Sequence, residues 1–216
     1  MFENRSFGGS TEDDPMKHLK KILAAALSGV LALTLLAGCG SWGSINKTEL
    51  IKQVGDYDGV TYRDVGESQA SAVEDALKKT IDLMKENGKD PDQPDFLHQA
   101  LRSLARYHDG ETNDESAAKF FEIQHNLYKT LNFDPEGYTY GYFSLTALKD
   151  FESAYFQNSL ENALAQNIWN FRGEFKLRSN AGDFERRATN CNGTVSLKVI
   201  TLDGSRYVLG FWTIAN

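Results

Sequence analysis

The two thiols of this chain of 216 residues, Cys39 and Cys191, are its strongest potential nucleophiles. A thiolate can attack a carbonyl, bind a metal or be alkylated, depending on the residues around it. Cys191 stands before Asn192-Gly193, a turn signal, and lacks the flanking sequence of a thiol hydrolase. We therefore interpret Cys191 as a structural residue. Two cysteines are also too few for a disulfide framework or a four-thiolate zinc site.

Cys39 follows a segment with the features of a secretory signal. Three lysines, Lys17, Lys20 and Lys21, give a positive start, and the residues from 22 to 37 are apolar with few exceptions. This apolar run is shorter than the roughly 20 residues that a membrane-spanning helix needs. The pattern predicts a signal peptide that is removed from the mature protein, with an uncleaved anchor helix as the alternative.

The end of this segment, Leu36-Ala37-Gly38-Cys39, resembles the lipobox of bacterial lipoprotein precursors. In that family a diacylglyceryl group is attached to the cysteine thiol, and a signal peptidase then cleaves before the cysteine. The resemblance implies that Cys39 is the lipidated first residue of the mature protein. It also implies a location on the extracytoplasmic face of the cell membrane. The resemblance covers residues 16–39 and does not extend into the mature domain.

The chain therefore divides into four parts. Residues 1–15 precede the signal and carry an acidic stretch, Glu12-Asp13-Asp14, which does not fit a positive signal start. We expect translation to begin at Met16 and residues 16–38 to be the signal peptide. Residues 39–46 are rich in small residues and predict a short tether. Residues 47–216 are expected to form a single domain.

The first half of that domain has apolar residues at three-and-four spacing, which predicts amphipathic helices. We expect about four of them, over Ser68–Asn87, Asp95–Tyr107, Asn113 or Asp114 to Leu131, and Thr146–Trp169. Gly88 is expected to stop the first helix, since glycine commonly follows the last helical residue.

The second half changes to a period of two. Phe171–Arg178 alternates strictly between apolar and polar residues, and two further strand patterns lie at 190–200 and 205–214. Asp203-Gly204 predicts a hairpin turn between the last two, and Asn192-Gly193 predicts another turn. The expected fold is α+β, with about four N-terminal helices packed on a C-terminal antiparallel meander of three to four strands.

The hairpin register follows from a two-residue turn at Asp203-Gly204. Leu202 then opposes Ser205, and one side of the hairpin carries three pairs of small or apolar residues, which we expect to face the core. These pairs are Val195–Trp212, Leu197–Gly210 and Val199–Val208. The other side is mixed, with Ser196–Phe211, Lys198–Leu209 and Ile200–Tyr207. This side suits either a partly covered sheet or the wall of a ligand cavity. A curved sheet with helices across it, similar to the cone-shaped nuclear-transport-factor-2-like fold, is one candidate architecture.

Two aromatic groups are candidate ligand surfaces, because aromatic faces outside a core stack on sugars or bind partners. The first lies in the densest aromatic cluster and comprises Tyr138, Tyr140 and Tyr142. The second lies on the mixed side of the hairpin and comprises Tyr207, Leu209 and Phe211. The alternative is packing between helix and sheet, which we favour for the first group.

The histidines of the domain, His98, His108 and His125, do not form a metal-binding or catalytic motif. His108 stands beside Asp109 and Glu111, which is more typical of a solvated helix end than of a metal site. The sequence contains no phosphate-binding loop, dinucleotide fingerprint or serine-hydrolase elbow. It therefore predicts no metal and no cofactor, and it leaves catalytic activity open.

The net charge of −7 and the pI of about 5.2 disfavour nucleic acid as a partner. We expect a lipid-anchored extracytoplasmic binding or interaction protein of the bacterial cell envelope. Its partner would be an envelope protein, a small molecule or a glycan. Two alternatives remain: an envelope hydrolase with unpatterned carboxylate and histidine residues, and a structural or assembly lipoprotein.

Overall fold

A computed structural model describes residues 42–108, 110–134, 140–152, 159–177 and 191–214, which contain both helices and strands. The helices in these ranges are α1 Lys47–Asp58, α2 Ser68–Glu86, α3 Phe96–Ala105, α4 Glu115–Leu131, α5 Lys149–Glu152 and α6 Leu160–Phe171. The strands are β1 Val60–Asp64, β2 Tyr140–Ala147, β3 Cys191–Leu202 and β4 Ser205–Ile214. The described residues from 44 onward belong to one compact unit, Ser44–Asn216. The α+β class is as predicted.

Three predicted helices, α2, α3 and α4, are confirmed. They could be predicted because each has a strong apolar stripe, and α2 and α4 also have a local signal at one end. α2 ends before Gly88, which adopts a left-handed conformation at φ 75°. The side chain of Asp114 caps α4 by accepting a hydrogen bond from the amide of Ala117 at 2.8 Å. The predicted hairpin register is also confirmed: Leu202 pairs with Ser205. Positive φ angles at Asp203 and Gly204 are those that a tight hairpin turn requires.

The sheet is mixed, so the prediction of a purely antiparallel meander is wrong. Its strand order is β1-β3-β4-β2, and the edge strand β1 runs parallel to β3, with Val60 beside Cys191 and Asp64 beside Val195. Helix α1 and strand β1 were both missed. Residues 191–195 pair with β1, and pairing with β4 begins at Gly193. Asn192-Gly193 therefore lies within β3 and does not form the predicted turn.

The fourth predicted helix, Thr146–Trp169, is wrong over its first part. Tyr140–Ala147 is strand β2, which pairs with β4 along its whole length. Both faces of β2 are buried, so its polar residues Ser144 and Thr146 lie in the interior together with its apolar ones. The described residues further along this segment form α5 and α6, and residues 153–158 of the predicted helix lie outside the described residues. Ser159 caps α6 by accepting a hydrogen bond from the amide of Asn162.

The predicted strand Phe171–Arg178 is also wrong as a full strand. Helix α6 extends to Phe171, and within the described part of this segment only Lys176 forms a β-bridge, to Tyr142. The alternation still has a structural cause, since Phe175 and Leu177 are buried on either side of a half-buried Lys176.

Helices cover both faces of the sheet, whereas one covered face was expected. The Trp212 face, which carries Val195 and Leu197, lies against α1 and α6. The Phe211 face, which carries Leu209 and Ile200, packs against α2, α3 and α4 in the main hydrophobic cluster. The mixed pattern of the Phe211 face therefore does not indicate a face without a helical cover. Two of its polar residues, Ser196 and Lys198, bind to α2.

Two of these polar contacts hold α2 on the sheet. The hydroxyl of Ser196 accepts a hydrogen bond from the amide of Ala70 at 2.9 Å. The ammonium group of Lys198 lies 2.7 Å from a carboxylate oxygen of Glu74, whose other oxygen pairs with Lys78 at 2.6 Å. Burial alone would raise the pKa of Glu74, but the hydrogen bonds and charges of Lys198 and Lys78 outweigh it and lower the pKa.

This pairing predicts a pH dependence of stability. The pKa of Glu74 is lower in the folded protein than the unfolded value near 4.5. Its contribution is therefore complete above that pH and is lost as the pH falls through the folded pKa. A Glu74→Gln variant is expected to lose about 1 kcal/mol of unfolding free energy at pH 7 and to match wild type near pH 2. Urea unfolding across this pH range is the measurement, with exposed Glu122→Gln as the matched control. An equal deficit at both ends of the range would contradict the prediction.

The junction between α3 and α4 depends on one fully buried amide, that of Gln124. Its Oε1 accepts a hydrogen bond from the amide of His108 at 3.0 Å. Its Nε2 lies within hydrogen-bond distance of the carbonyl oxygens of Ser103, Leu104 and Arg106, at 3.2, 3.1 and 2.7 Å. The last carbonyls of a helix have no partner within the helix. Gln124 therefore supplies the polar contacts that the end of α3 needs, and this fixes α4 against α3.

Candidate functional site

The candidate ligand-surface residues of β4 lie on the Phe211 face. Leu209 and Phe211 are fully buried in the main cluster, and Tyr207 is half-buried beside it. The ring of Phe211 contacts those of Phe143 and Phe133 at centroid distances of 5.7 and 6.1 Å. None of the three candidates lines the three hollows of about 490, 430 and 310 Å³ that the described residues form. In this conformation their side chains serve packing.

Of the other predicted site residues, Tyr140 and Tyr142 are buried in β2. The ammonium group of Lys176 lies 5.0 Å above the ring of Tyr140. Tyr142 is part of the polar cluster described next. Tyr138 lies outside the described residues. So do Leu36, Ala37, Gly38 and Cys39, so the lipobox stays a sequence prediction.

A buried polar cluster surrounds Asp58 at the end of α1. The hydroxyls of Tyr62 and Tyr142 both donate to Oδ2 of Asp58, at 2.7 and 2.9 Å. Oδ1 lies 3.4 Å from Nε of Arg172, just beyond α6. The rings of Tyr62 and Tyr142 in turn contact Trp212, edge-on at 4.9 Å and stacked at 5.8 Å. The cluster thus joins α1, β1, β2 and the end of α6.

The ionisation of this cluster is governed by burial. Burial raises the pKa of Asp58, although the two tyrosine hydroxyls and the charge of Arg172 act in the opposite direction. The pKa values of Tyr62 and Tyr142 lie well above the usual range, because burial and the neighbouring carboxylate disfavour a phenolate. A raised carboxyl pKa is a common mark of an active site. Here, however, the Asp58 side chain has no exposed surface, and its partners are phenols and a guanidinium.

The histidines are distributed over the helical layer of α3 and α4. His98 packs against Phe171 and Phe175, and burial, assisted by the charge of Arg102, lowers its pKa. His125 lies at the surface of α4, with Nε2 3.0 Å from the carbonyl oxygen of His108. In the described part of the chain, no three His, Cys, Asp or Glu side chains are arranged to hold a metal ion.

A surface groove of about 490 Å³ runs between α2 and α4. The two helices are antiparallel: Asn87 after α2 donates to Ser116 at the start of α4, and Gln69 at the start of α2 donates to the carbonyl of Leu131 at 3.4 Å. The groove floor is apolar and consists of Ala72, Ala76, Leu83, Ile123 and Leu127. Three of these, Ala72, Leu83 and Ile123, keep part of their surface exposed to solvent.

The rim of this groove is charged. Its exposed carboxylates are Asp75, Asp82, Glu86 and Glu122, and its ammonium groups are Lys79 and Lys119. Lys119 is paired with Glu115 at 2.9 Å. The hydrogen bond and charge of Glu115, with a smaller contribution from Glu86, raise the pKa of Lys119. The rim therefore carries a net negative charge above an apolar floor. We call this feature the α2–α4 groove.

A second, shallower hollow of about 430 Å³ lies at the C-terminal end of α4. It is lined by two tyrosines, a histidine and residues around the helix end: Tyr107, His125, Tyr128, Lys129, Asn132, Phe133 and Asp134. Its aromatic rings contact one another, with Tyr107 5.4 Å from His125 and 5.2 Å from Tyr128.

Comparison with known proteins gives no counterpart, since no family model matches the chain and neither a curated protein nor a solved structure matches it significantly. The described helices also include none that is long and apolar enough to cross a membrane.

Sequence reasoning missed the Asp58 cluster and the α2–α4 groove. The first depends on α1, which had a readable start signal: Asn46 caps the helix by accepting from the amide of Glu49 at 3.1 Å. Leu50, Ile51 and Val54 supply its apolar stripe. The α2–α4 groove had no sequence signal, because it is formed by residues of two helices that lie side by side only in the folded protein.

Proposed function

We propose that this protein is a lipid-anchored, extracytoplasmic interaction protein of the bacterial cell envelope. The observation that carries the proposal is Leu36-Ala37-Gly38-Cys39 directly after a positive start and an apolar run. A diacylglyceryl group supplies two acyl chains, and two chains hold a protein on a membrane far more stably than one. The small residues at 40–44 would form a short tether that keeps the folded domain close to the bilayer.

The surface features support interaction over catalysis. The carboxyl group with a raised pKa, Asp58, is sealed beneath the surface and joins secondary-structure elements to one another. The α2–α4 groove, in contrast, opens to solvent with an apolar floor. Exposed apolar surface bounded by charges is typical of protein interaction sites. An envelope protein therefore fits the described surface better than a small substrate.

Mass spectrometry of the protein from its native membrane tests the anchor. We expect a tryptic peptide that begins at Cys39, ends at Lys47 and carries a diacylglyceryl group. We also expect no peptide from residues 1–38, because the signal would have been removed. An unmodified peptide running from Ile22 through Cys39 in the membrane-bound protein would show that the anchor proposal is wrong.

A further inference from the structure

We infer that the α2–α4 groove is a docking site for a basic amphipathic helix of a partner protein. This inference deepens the proposed role as an interaction protein and rests on it. It names the surface used and the chemistry of the partner. The argument combines the shape of the groove, its apolar floor and the charge of its rim.

The shape favours a helix as the occupant. Two antiparallel helices packed side by side leave a straight groove into which the side-chain ridge of a third helix can fit. The lining of α2 runs from Ala72 to Glu86, which corresponds to about 20 Å at the rise of an α-helix. A partner helix of about 14 residues would span that length.

The floor favours an apolar stripe on that helix. Ala72 and Ala76 are small, so a partner backbone can approach closely on the α2 side. Leu83 and Ile123 are half-buried and offer larger contacts to inserted side chains. Covering these exposed apolar atoms contributes roughly 25 cal/mol for each Å² removed from water.

The rim decides the charge of the partner. Four carboxylates, those of Asp75, Asp82, Glu86 and Glu122, face two ammonium groups, and one of these, on Lys119, already pairs with Glu115. Lysine or arginine residues that flank an apolar stripe would complement this rim, whereas an acidic helix or an anionic lipid surface would be repelled. The net charge of −7 acts in the same direction at longer range.

Binding of a synthetic probe tests this inference. The probe is a labelled 18-residue helical peptide with leucine and alanine on one face and lysine on the flanks, and its counterpart has every lysine replaced by glutamate. The protein is used as the cell produces it, in phosphatidylcholine nanodiscs if Cys39 carries lipid and in buffer if it does not. Fluorescence anisotropy gives the affinity, after subtraction of the signal from protein-free nanodiscs. The result does not depend on the anchor, so failure here is separable from failure of the anchor.

Two pairs of charge reversals separate local charge from overall charge. Asp82→Lys with Glu122→Lys removes two rim carboxylates, and Asp92→Lys with Glu111→Lys makes the same change at exposed positions outside the groove. We expect the rim variant to bind the lysine probe about tenfold or more weakly and the control to stay within about threefold of wild type. A separate Ile123→Asp variant, which places a charge in the floor, is expected to weaken binding at least as much.

Several outcomes would overturn the inference. The first is equal affinity for the lysine and the glutamate peptide, and the second is an equal loss of affinity in the rim and control variants. The third is the absence of binding at peptide concentrations near 1 mM, which corresponds to a binding free energy of only about −4 kcal/mol. Analytical sedimentation of the wild-type protein and of each variant measures the oligomeric state, and so tests whether a second copy of this chain occupies the groove. A wild-type dimer that dissociates in the rim variant alone would assign the groove to self-association and overturn the inference.

Discussion

A Gln124→Leu variant is expected to unfold with a free energy about 3 kcal/mol below that of the wild-type protein. The substitution keeps the approximate size of the side chain but removes every polar contact of the buried amide. The amide of His108 and the carbonyl of Arg106 would lose this partner, and the carbonyl of Leu104 would keep only the hydroxyl of Tyr128. Each buried polar group left without a hydrogen bond costs about 1–3 kcal/mol. Urea unfolding followed by circular dichroism measures the change.

The matched control is Asn126→Leu, the same kind of replacement at an exposed position of α4. Its unfolding free energy should lie within about 0.5 kcal/mol of wild type, since surface changes of this kind are usually small. Tyr128→Phe provides an intermediate case. Its hydroxyl donates to the carbonyls of Leu104 and Ala105 at 3.3 Å, so its loss should cost about 1 kcal/mol. If Gln124→Leu were no less stable than Asn126→Leu, the amide would not be what holds α3 to α4.

A Cys39→Ser variant is expected to lose lipid incorporation completely and to accumulate at the mass of the uncleaved precursor. In the proposed anchor the lipid group would be attached through a thioether, and the less nucleophilic serine hydroxyl would not replace the thiol. In the lipoprotein family that Leu36–Cys39 resembles, cleavage follows lipidation, so the loss of one step blocks the other. Labelling with an alkyne-modified fatty acid, combined with intact-protein mass spectrometry, measures both steps.

The control for this experiment is Cys191→Ser, which alters the other cysteine of the chain. Cys191 begins β3, and the serine variant should incorporate lipid at the wild-type level and reach the mature mass. If Cys39→Ser carried as much label as Cys191→Ser, the lipid would be attached elsewhere, and Cys39 would not be the anchor.

Local signals were sufficient for some elements of the fold. The turn Asp203-Gly204 requires left-handed backbone angles, which aspartate and glycine tolerate. This local signal is sufficient to predict the β3–β4 register. The apolar stripes of α2, α3 and α4 were equally readable, since each helix buries one side. Both kinds of signal depend on neighbours within a few residues along the chain.

Elements that depend on distant partners were not readable in this way. Tyr140–Ala147 is buried on both faces, including its polar residues Ser144 and Thr146, so its residue types do not separate a core side from a solvent side. Its first part was therefore interpreted as a packing segment and its end as the start of a helix. Strand β1 is short and pairs in parallel with β3, about 130 residues further along the chain, by contacts that its own sequence does not encode. The segment predicted as the strand Phe171–Arg178 is the opposite case: its residues alternate between apolar and polar, but within its described part only Lys176 forms a β-bridge.

Four features follow from the amino-acid sequence: the register of the β3–β4 hairpin, the apolar stripes of α2, α3 and α4, the excess of negative charge and the prediction of an anchor at Cys39. The packing of Leu209 and Phe211 in the core and the hydrogen bond from Tyr142 to Asp58 depend on the three-dimensional fold. So does the groove between α2 and α4. The physical reason is that helix periodicity and turn angles are local properties. Burial, raised pKa values and surface grooves arise only where residues distant in the chain meet.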